Sequence, residues 1–194
     1  MKVPHIVLFT RWPEAGKAKT RMIPALGAEG AAALHRQLTD RTAATLCKSG
    51  LRAEIRFTGA EQERFENWLG DGFGYCDQGE GDLGARMARA AQDAPVILVG
   101  SDCPGLGACH LQQAAKALET AEIVIGPAED GGYWLIALAR PMDFLFADME
   151  WGGARVFAVT RERLAARGIE PVLLETLADC DRPEDLARWP ELAS

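Results

Sequence analysis

Four basic side chains stand close together near the start of the sequence, in the stretch RWPEAGKAKTR. Lys17, Lys19 and Arg21 occupy every second position after Gly16, a residue that permits a close approach of the backbone. Lysine supplies a point charge and arginine a planar fork, and both bind phosphate oxygens. The loop is therefore predicted to hold a polyphosphate, although a solvated basic loop would show the same pattern. It is not a Walker A loop, because that motif requires glycine where Arg11 stands.

Two acidic motifs later in the chain could supply ligands to a divalent cation. In VILVGSDCPGL, an apolar strand ends at Gly100, and Asp102 follows just before a proline that breaks the chain. A carboxylate there either caps a turn or helix, or binds Mg²⁺ or Mn²⁺ together with substrate phosphates. In DCDRPEDLARW, Asp179 and Asp181 alternate on an extended segment. Either could cap the helix predicted from Pro183, or one could supply a second carboxylate to the cation.

The stretch GPAEDGGYWLIAL joins two predicted strands through a tight turn. Asp-Gly is a common hairpin signal, so a plain hairpin is one interpretation. The other is that Glu129, Asp130, Gly131 and Gly132 hold an acceptor or a sugar beside the cation. In a glycosyl reaction, Glu129 or Asp130 would be the candidate base.

A literal G-x-G-x-x-G motif lies in the middle of the chain, formed by Gly79, Gly81 and Gly84. This pattern is typical of dinucleotide-binding loops, and that interpretation stays open. However, Glu80 and Asp82 would repel a pyrophosphate from a helix N-terminus. We therefore expect a turn that wraps a nucleobase or ribose, with Asp82 capping the helix that follows.

The hydrophobic pattern alternates between the periods of strands and helices. Leu34, Leu38, Thr42 and Leu46 fall on one helical face, and Gly50 ends that helix. The predicted strands are HIVLFT, AEIRFTG, PVILVGSD, EIVIGPA, YWLIAL, PVLLETL and, more weakly, FGYCDQ; the other helices are EQERFENWLG, ARMARAAQD, HLQQAAKALETA and VFAVTRERLAARG.

This alternation predicts one α/β domain over residues 1–194, with a mainly parallel sheet between helices on both faces. Ligands of such sheets bind beyond the carboxyl ends of the strands. The loops described above all adjoin predicted strands, so we expect them to form one site.

Composition and charge restrict the partners and the compartment. The 194 residues carry a net charge of −7, which argues against nucleic acid or an anionic membrane as a partner. Met1-Lys2 leads directly into a predicted strand, and no apolar run approaches the ~20 residues needed to span a bilayer, so we expect neither a signal peptide nor a membrane span. The five cysteines form no C-x-x-C pair, which favours free thiols. We expect a cytoplasmic protein, and its state as a monomer or a homodimer stays open.

Five motifs together, RWPEAGKAKTRMIPALG, GDLGARM, LVGSDCPGL, GPAEDGGYWLIAL and LADCDRPEDL, resemble the bacterial DUF2064 family in the same order. These proteins are also called selenodomain-associated transferase 1, and they resemble GT-A glycosyltransferases. They belong with the nucleotide-diphospho-sugar transferases, near the phospholactate and molybdenum cofactor guanylyltransferases. The resemblance implies a GT-A, Rossmann-like α/β/α fold with a mixed, mostly parallel sheet of seven strands.

The same resemblance implies roles for individual residues. Asp102 is similar to the metal-binding aspartate of the family and Asp181 to its second ligand. Lys17, Lys19 and Arg21 match the phosphate-binding loop. The remaining expected nucleotide contacts are Thr10, Gly16, Gly81, Asp82, Leu83 and Ser101. Two positions depart from the family pattern, since Arg182 and Gly153 stand where relatives often have threonine.

The implied activity is that of a transferase dependent on Mg²⁺ or Mn²⁺. It would use a nucleoside triphosphate or a nucleotide sugar, and it would transfer a nucleotidyl or glycosyl group to a small acceptor. The dense basic loop suits a pyrophosphate leaving group and favours nucleotidyl transfer, whereas the customary family name favours glycosyl transfer. The alternatives are a nucleotide-binding regulatory module without turnover and a dinucleotide-binding protein.

Overall fold

The computed structural model describes residues 3–192 and contains one seven-stranded sheet. The strands are β1 (His5–Phe9), β2 (Ala53–Phe57), β3 (Gly74–Asp77), β4 (Val96–Gly100), β5 (Ile123–Pro127), β6 (Tyr133–Leu138) and β7 (Val172–Leu173). Their spatial order is β3-β2-β1-β4-β6-β5-β7. Only β6 runs antiparallel to its neighbours β4 and β5, so the sheet is mixed and mostly parallel, as the sequence predicts.

Helices cover both faces of the sheet. The five α-helices are α1 (Ile23–Ser49), α2 (Gln62–Leu69), α3 (Leu83–Ala91), α4 (Ala108–Ala117) and α5 (Val156–Ala165). Short 3₁₀ helices span Thr20–Met22, Asp143–Leu145, Pro183–Arg188 and Pro190–Leu192. None of the helices described between residues 3 and 192 has the length and hydropathy of a bilayer-crossing segment.

Strand alternation sorts the core into two layers. In β1, Ile6 and Leu8 pack with residues of α1, α2 and α4, whereas Val7 packs with residues of α3 and α5 on the opposite face. This division follows from the period of two in a strand, which sends neighbouring side chains to opposite faces. The α/β/α layering expected from the sequence is therefore confirmed.

The long helix α1 shows how closely local pattern and structure agree. Leu34, Leu38, Thr42 and Leu46 are all buried, and Gly50 ends the helix in the left-handed conformation, with φ of 73°. Near its start, Gly27 has φ of 70° and interrupts the helical backbone. The basic loop therefore reaches the main helix through a short, kinked first turn.

The seventh strand is shorter than PVLLETL predicts. Only Val172 and Leu173 pair regularly with β5, and both are exposed at the sheet edge. The chain then follows β5 through single contacts, such as Leu177 N–H to the Pro127 carbonyl at 3.1 Å. This irregular path carries the chain toward Asp179 and Asp181 at the carboxyl end of the sheet.

A close approach between β5 and β6 gives the fold a specific test. A methyl group on Gly126 of β5 would overlap the indole ring of Trp134, which is itself buried and donates to the Glu175 carbonyl at 3.2 Å. Gly126→Ala should therefore lower the free energy of unfolding by about 1–3 kcal/mol, a typical cost of overpacking. Urea unfolding followed by circular dichroism measures this change.

Gly100→Ala is the matched control, since Gly100 also lies in a strand but has open space where a methyl group would go. Its unfolding free energy should stay within about 0.5 kcal/mol of the wild type. Equal stability of the two variants would contradict the close packing of Gly126 on Trp134.

Candidate functional site

A cleft of about 310 Å³ lies at the carboxyl ends of the central strands. One side of it is polar and is lined by Arg21, Asp102, Asp130, Asp179 and Asp181. The other side is largely apolar and is lined by Phe9, Leu83, Met87, Leu98, Tyr133, Trp151 and Val156. Parallel strands bring their following loops to one edge, which explains why motifs far apart in sequence meet here.

The ammonium group of Lys19 is the centre of the polar side. Its Nζ lies 2.9 Å from Oδ1 of Asp102 and 3.4 Å from Oδ1 of Asp181, and it donates to the Cys180 carbonyl at 2.6 Å. The Lys19 side chain is only 3% exposed. Its backbone is left-handed, with φ of 46°, a conformation that costs about 1 kcal/mol or more in a residue other than glycine. These contacts therefore fix both the charge and the backbone of Lys19.

Two further contacts join the segment around Cys180 to the basic loop and to the loop after β4. Arg21 Nη1 lies 2.5 Å from Oδ2 of Asp181, and the backbone N–H of Cys180 donates to the Asp102 carbonyl at 2.8 Å. Cys180 itself is fully buried, while its neighbours Asp179 and Asp181 face the cleft. The alternation predicted for this segment is confirmed. The contacts around it bring Asp102 and Asp181, the two predicted metal ligands, to the same ammonium group.

The charges of the cluster shift the pKa values of its members in opposite directions. Burial alone would lower the pKa of Lys19, but Asp102 and Asp181 outweigh that effect and raise it. Desolvation works to raise the pKa of Asp102, but the Lys19 ammonium holds it below its ordinary value. At neutral pH the site therefore contains cations and carboxylates already paired with one another.

Asp179, which the sequence left open as a helix cap or an alternative to Asp181, is a further carboxylate of the cleft. Its pKa is raised, first by burial and then by the neighbouring charge of Asp130. Asp130 itself accepts a hydrogen bond from the Gly132 N–H at 2.8 Å, in the turn that joins β5 to β6. The alternation of Asp179 with Asp181 was the available signal, but spacing alone could not show that both face the cleft.

The β5–β6 connection is a hairpin, and it also lines the cleft. Gly131 has φ of 90°, and a methyl group there would overlap the Ala154 carbonyl. Glu129 lies outside the first cleft and pairs with Arg188 at 2.7 Å. The hairpin interpretation is thus confirmed, while a role of the turn in holding an acceptor stays a prediction.

Other groups of the protein pack closely against the glycine-rich motif. A methyl group on Gly79 would lie 2.7 Å from Nη1 of Arg89, and one on Gly84 would overlap the Phe146 carbonyl. The Arg89 guanidinium also donates to the Glu80 carbonyl at 3.0 Å. Asp82 caps α3 through the Ala85 N–H at 2.8 Å, as predicted. Internal packing thus accounts for glycines that the sequence alone presents as a pyrophosphate loop.

The other predicted nucleotide contacts lie in differing surroundings. Leu83 is exposed and lines the cleft, whereas Ser101 is buried. Thr10 is also buried, and its hydroxyl lies 3.2 Å from that of Thr39. Gly16 has φ of 80° and open space around it, and Gly81 has φ of 96°.

Lys17 is not brought into the ion-pair cluster. Its side chain is 60% exposed and lies 2.9 Å from Glu14, three residues earlier. Lys19 and Arg21 therefore carry the geometric support for the phosphate-binding prediction, and the role of Lys17 stays a prediction.

Two aromatic residues line the apolar side of the cleft with buried polar atoms. The Tyr133 hydroxyl and the Trp151 indole N–H have no hydrogen-bond partner within residues 3–192. Their rings meet edge to face, with centroids 6.4 Å apart. Buried donors usually find partners, but these two atoms are unsatisfied donors within the wall of the cleft.

Residues 41–153 match the family model described as "Uncharacterized protein conserved in bacteria (DUF2064)". Over 114 residues, the chain is 36% identical to the 3-phospho-D-glycerate guanylyltransferase of Phenylobacterium zucineum (strain HLK1). That alignment includes 54% of this chain and 50% of the curated relative, so the chain spans half the length of that protein.

Solved structures show the same fold. A Desulfovibrio desulfuricans G20 protein, provisionally assigned as a nucleotide-diphospho-sugar transferase, superposes with a TM-score of 0.89 at 30% identity. The superposition covers 98% of this chain and 88% of that protein. Rv0371c of Mycobacterium tuberculosis H37Rv, solved in complex with manganese, has a TM-score of 0.55 at 17% identity, over 98% and 99% of the two chains. The fold is thus that of the nucleotide-diphospho-sugar transferases.

The ion-pair cluster predicts a pH-dependent stability. Lys19→Met keeps most of the aliphatic stem but leaves two carboxylates without their shared cation. We expect this variant to lower the free energy of unfolding by about 2 kcal/mol at pH 7. The effect is smaller than for a fully buried pair because the Asp102 side chain is 52% exposed. Urea unfolding between about pH 3 and pH 8, with a chelator present, measures the effect.

The sign of the pH effect follows from the lowered pKa of Asp102 in the folded protein. Stabilisation by this pair is fully present above the ordinary carboxyl pKa of about 4, and it is lost as the pH falls through the lowered value. The stability gap between the wild type and Lys19→Met should therefore narrow in acid. A difference in unfolding free energy that does not change with pH would contradict this account. So would an equal difference between the wild type and Lys48→Met, in which an exposed lysine is replaced.

Proposed function

Because the chain belongs to the DUF2064 family, we propose that it is a nucleotidyltransferase that joins a nucleoside monophosphate to a small anionic acceptor and releases pyrophosphate. The observation that carries the proposal is a chain of three ion pairs of 2.5–3.4 Å, in which Lys19 contacts Asp102 and Asp181, and Arg21 contacts Asp181. It lies at the edge where α/β sheets bind ligands. A polyphosphate needs such cations, and a divalent ion needs such carboxylates.

In the proposed reaction an acceptor oxygen attacks the α-phosphorus of a nucleoside triphosphate. The bond between that phosphorus and the bridging oxygen breaks, and its electron pair leaves with pyrophosphate. Catalysis of this step depends mainly on positioning and on neutralising charge. Lys19 and Arg21 would contact the departing phosphates, and an acceptor that is already anionic needs no general base.

The carboxylates of Asp102 and Asp181 fit a hard divalent cation. Both approach the same Nζ atom, so their oxygens already converge on a position that holds positive charge. No group of three or more His, Cys, Asp or Glu ligands is assembled among the residues described. Mg²⁺ usually binds proteins through one or two carboxylates plus substrate phosphates. When bound, such an ion would neutralise phosphate charge and act as a Lewis acid. The manganese bound by Rv0371c supports this assignment by analogy.

The curated relative suggests where to begin with substrates. Its name specifies transfer of a guanylyl group to 3-phospho-D-glycerate. We infer that GTP and small phosphorylated carboxylic acids are the first pair to test on this chain. A second cavity of about 340 Å³ adjoins the cleft and is lined by Arg21, Arg182 and Arg188 among several acids, so it offers cationic contacts to such an acceptor.

Glycosyl transfer from a nucleotide sugar is the second candidate. It is favoured by the resemblance to the D. desulfuricans protein and by Asp130, whose carboxylate lines both cavities and could accept a proton from an acceptor hydroxyl. In that reaction the leaving group is a nucleoside diphosphate rather than pyrophosphate. The two candidates therefore differ in a product that can be measured directly.

The test incubates the protein with Mg²⁺, each of the four nucleoside triphosphates and a panel of phosphorylated acids, and it measures pyrophosphate release. A parallel set supplies nucleotide sugars and measures nucleoside diphosphate. We expect pyrophosphate release that needs both an acceptor and the metal. Asp102→Asn should lower the rate by about a hundredfold or more, because a contact to the reacting charge is lost.

Asp71→Asn is the matched control, since it removes an exposed carboxylate in the loop between α2 and β3 and should leave the rate unchanged. Release of nucleoside diphosphate from a nucleotide sugar would replace the first candidate with the second. Nucleotide-dependent stabilisation without any product would instead identify a binding module. Unaltered turnover by Asp102→Asn would remove Asp102 from the site.

A further inference from the structure

Lys19 occupies the position between Asp102 and Asp181 that the proposed metal ion would need. Its Nζ takes one carboxylate oxygen from each aspartate, and the stem is buried. A second cation cannot share those oxygens at full strength without repulsion from the ammonium. Metal binding and the observed Lys19 contacts are therefore in competition.

The two aspartates do not depend on Lys19 alone to stay together. The backbone hydrogen bond from Cys180 N–H to the Asp102 carbonyl, at 2.8 Å, joins their two segments directly. Arg21 adds a second contact to Asp181 from the exposed side. The acidic pair can therefore keep its place when the ammonium moves away.

Lys19 has a strained backbone that its contacts hold in place. Its left-handed φ of 46° belongs to a sparsely populated region, and such conformations persist when surrounding interactions fix them. If a metal ion took over the two carboxylates, the Lys19 ammonium would keep the Cys180 carbonyl at 2.6 Å and could pair with an anion in the cleft. A polyphosphate is the anion that the proposed function brings there.

We propose that Lys19 serves as an internal substitute cation, which pairs with Asp102 and Asp181 when no metal ion is bound and is transferred to the nucleotide phosphates when the metal ion binds. This inference rests on the metal-dependent function proposed above. It makes the metal and the nucleotide mutually dependent ligands. The metal ion alone should bind weakly, because it must displace the Lys19 ammonium, which then has no other anion to pair with. When a triphosphate binds with the metal ion, the ammonium exchanges its aspartate partners for phosphates.

The first experiment titrates Mn²⁺ alone into the protein and follows free Mn²⁺ by electron paramagnetic resonance. Lys19→Gln removes the charge but keeps a donor for the Cys180 carbonyl, and it should bind Mn²⁺ at least about tenfold more tightly than the wild type. Lys48→Gln, on the exposed end of α1, should match the wild type. Equal affinities of Lys19→Gln and the wild type would overturn the proposal.

The second experiment repeats the titration with saturating α,β-methylene GTP, which cannot be cleaved at the reacting bond. A titration without protein corrects for Mn²⁺ bound by the analogue in solution. The analogue should raise the Mn²⁺ affinity of the wild type by a larger factor than that of Lys19→Gln, since only the wild type has an ammonium to transfer. Equal factors would overturn the transfer step.

A measurement on the wild type alone guards against a variant that fails to fold. Mn²⁺ without nucleotide should leave its melting temperature nearly unchanged, while Mn²⁺ with the analogue should raise it clearly. A large shift with Mn²⁺ alone would contradict the proposal. Because the Mn²⁺ titrations require no turnover, the substitute-cation role can fail while pyrophosphate release is observed, and the reverse also holds.

Discussion

The buried ammonium of Lys19 between Asp102 and Asp181 is the interaction on which the rest of the site depends. A charge withdrawn from water is expensive unless it is paired and hydrogen-bonded, and Lys19 meets that requirement with two carboxylates and one carbonyl. Its three partners come from two distant segments, the loop after β4 and the stretch around Cys180. The Lys19 ammonium thus couples the basic loop to both acidic motifs through two ion pairs.

The antiparallel direction of β6 determines which other residues lie beside the Lys19 cluster. Because β6 runs antiparallel between β4 and β5, the β5–β6 hairpin turns at the same edge as the loop after β4. Asp130 is thereby placed close enough to influence Asp179, and Tyr133 enters the wall of the cleft at the start of β6. The central strands stay apolar and rigid, while each functional group is carried by a loop or strand end at their carboxyl edge.

The balance of charge in the cleft has a consequence for its ligands. The cations that suit a polyphosphate, Lys19 and Arg21, are already engaged by carboxylates. Asp130 and Asp179 add two further acidic side chains, so the cleft contains more acids than bases and is not an open basic patch. Under the proposed function, a divalent ion that arrives with the nucleotide would supply the positive charge that these acids require. An acidic protein would in this way bind an anionic substrate through local ion pairs and not through its overall charge.

Much of the fold could be read from the sequence, because burial and turn chemistry are local properties. The face of α1 formed by Leu34, Leu38 and Leu46, the cap by Asp82 and the hairpin at Gly131 all follow from residue type and spacing. The sequence also placed Asp102 and Asp181 in loops beyond strand ends. By contrast, the glycine motif at 79–84 suggested a ligand loop, and only the tertiary structure showed that Arg89 packs against Gly79 and the Phe146 carbonyl against Gly84. Likewise, only the tertiary structure shows that Lys19 and not Lys17 joins the ion pairs, and that Asp179 lines the cleft. The order and direction of distant strands in the sheet decide which charged side chains come together. That order cannot be inferred from residues that are neighbours in the sequence.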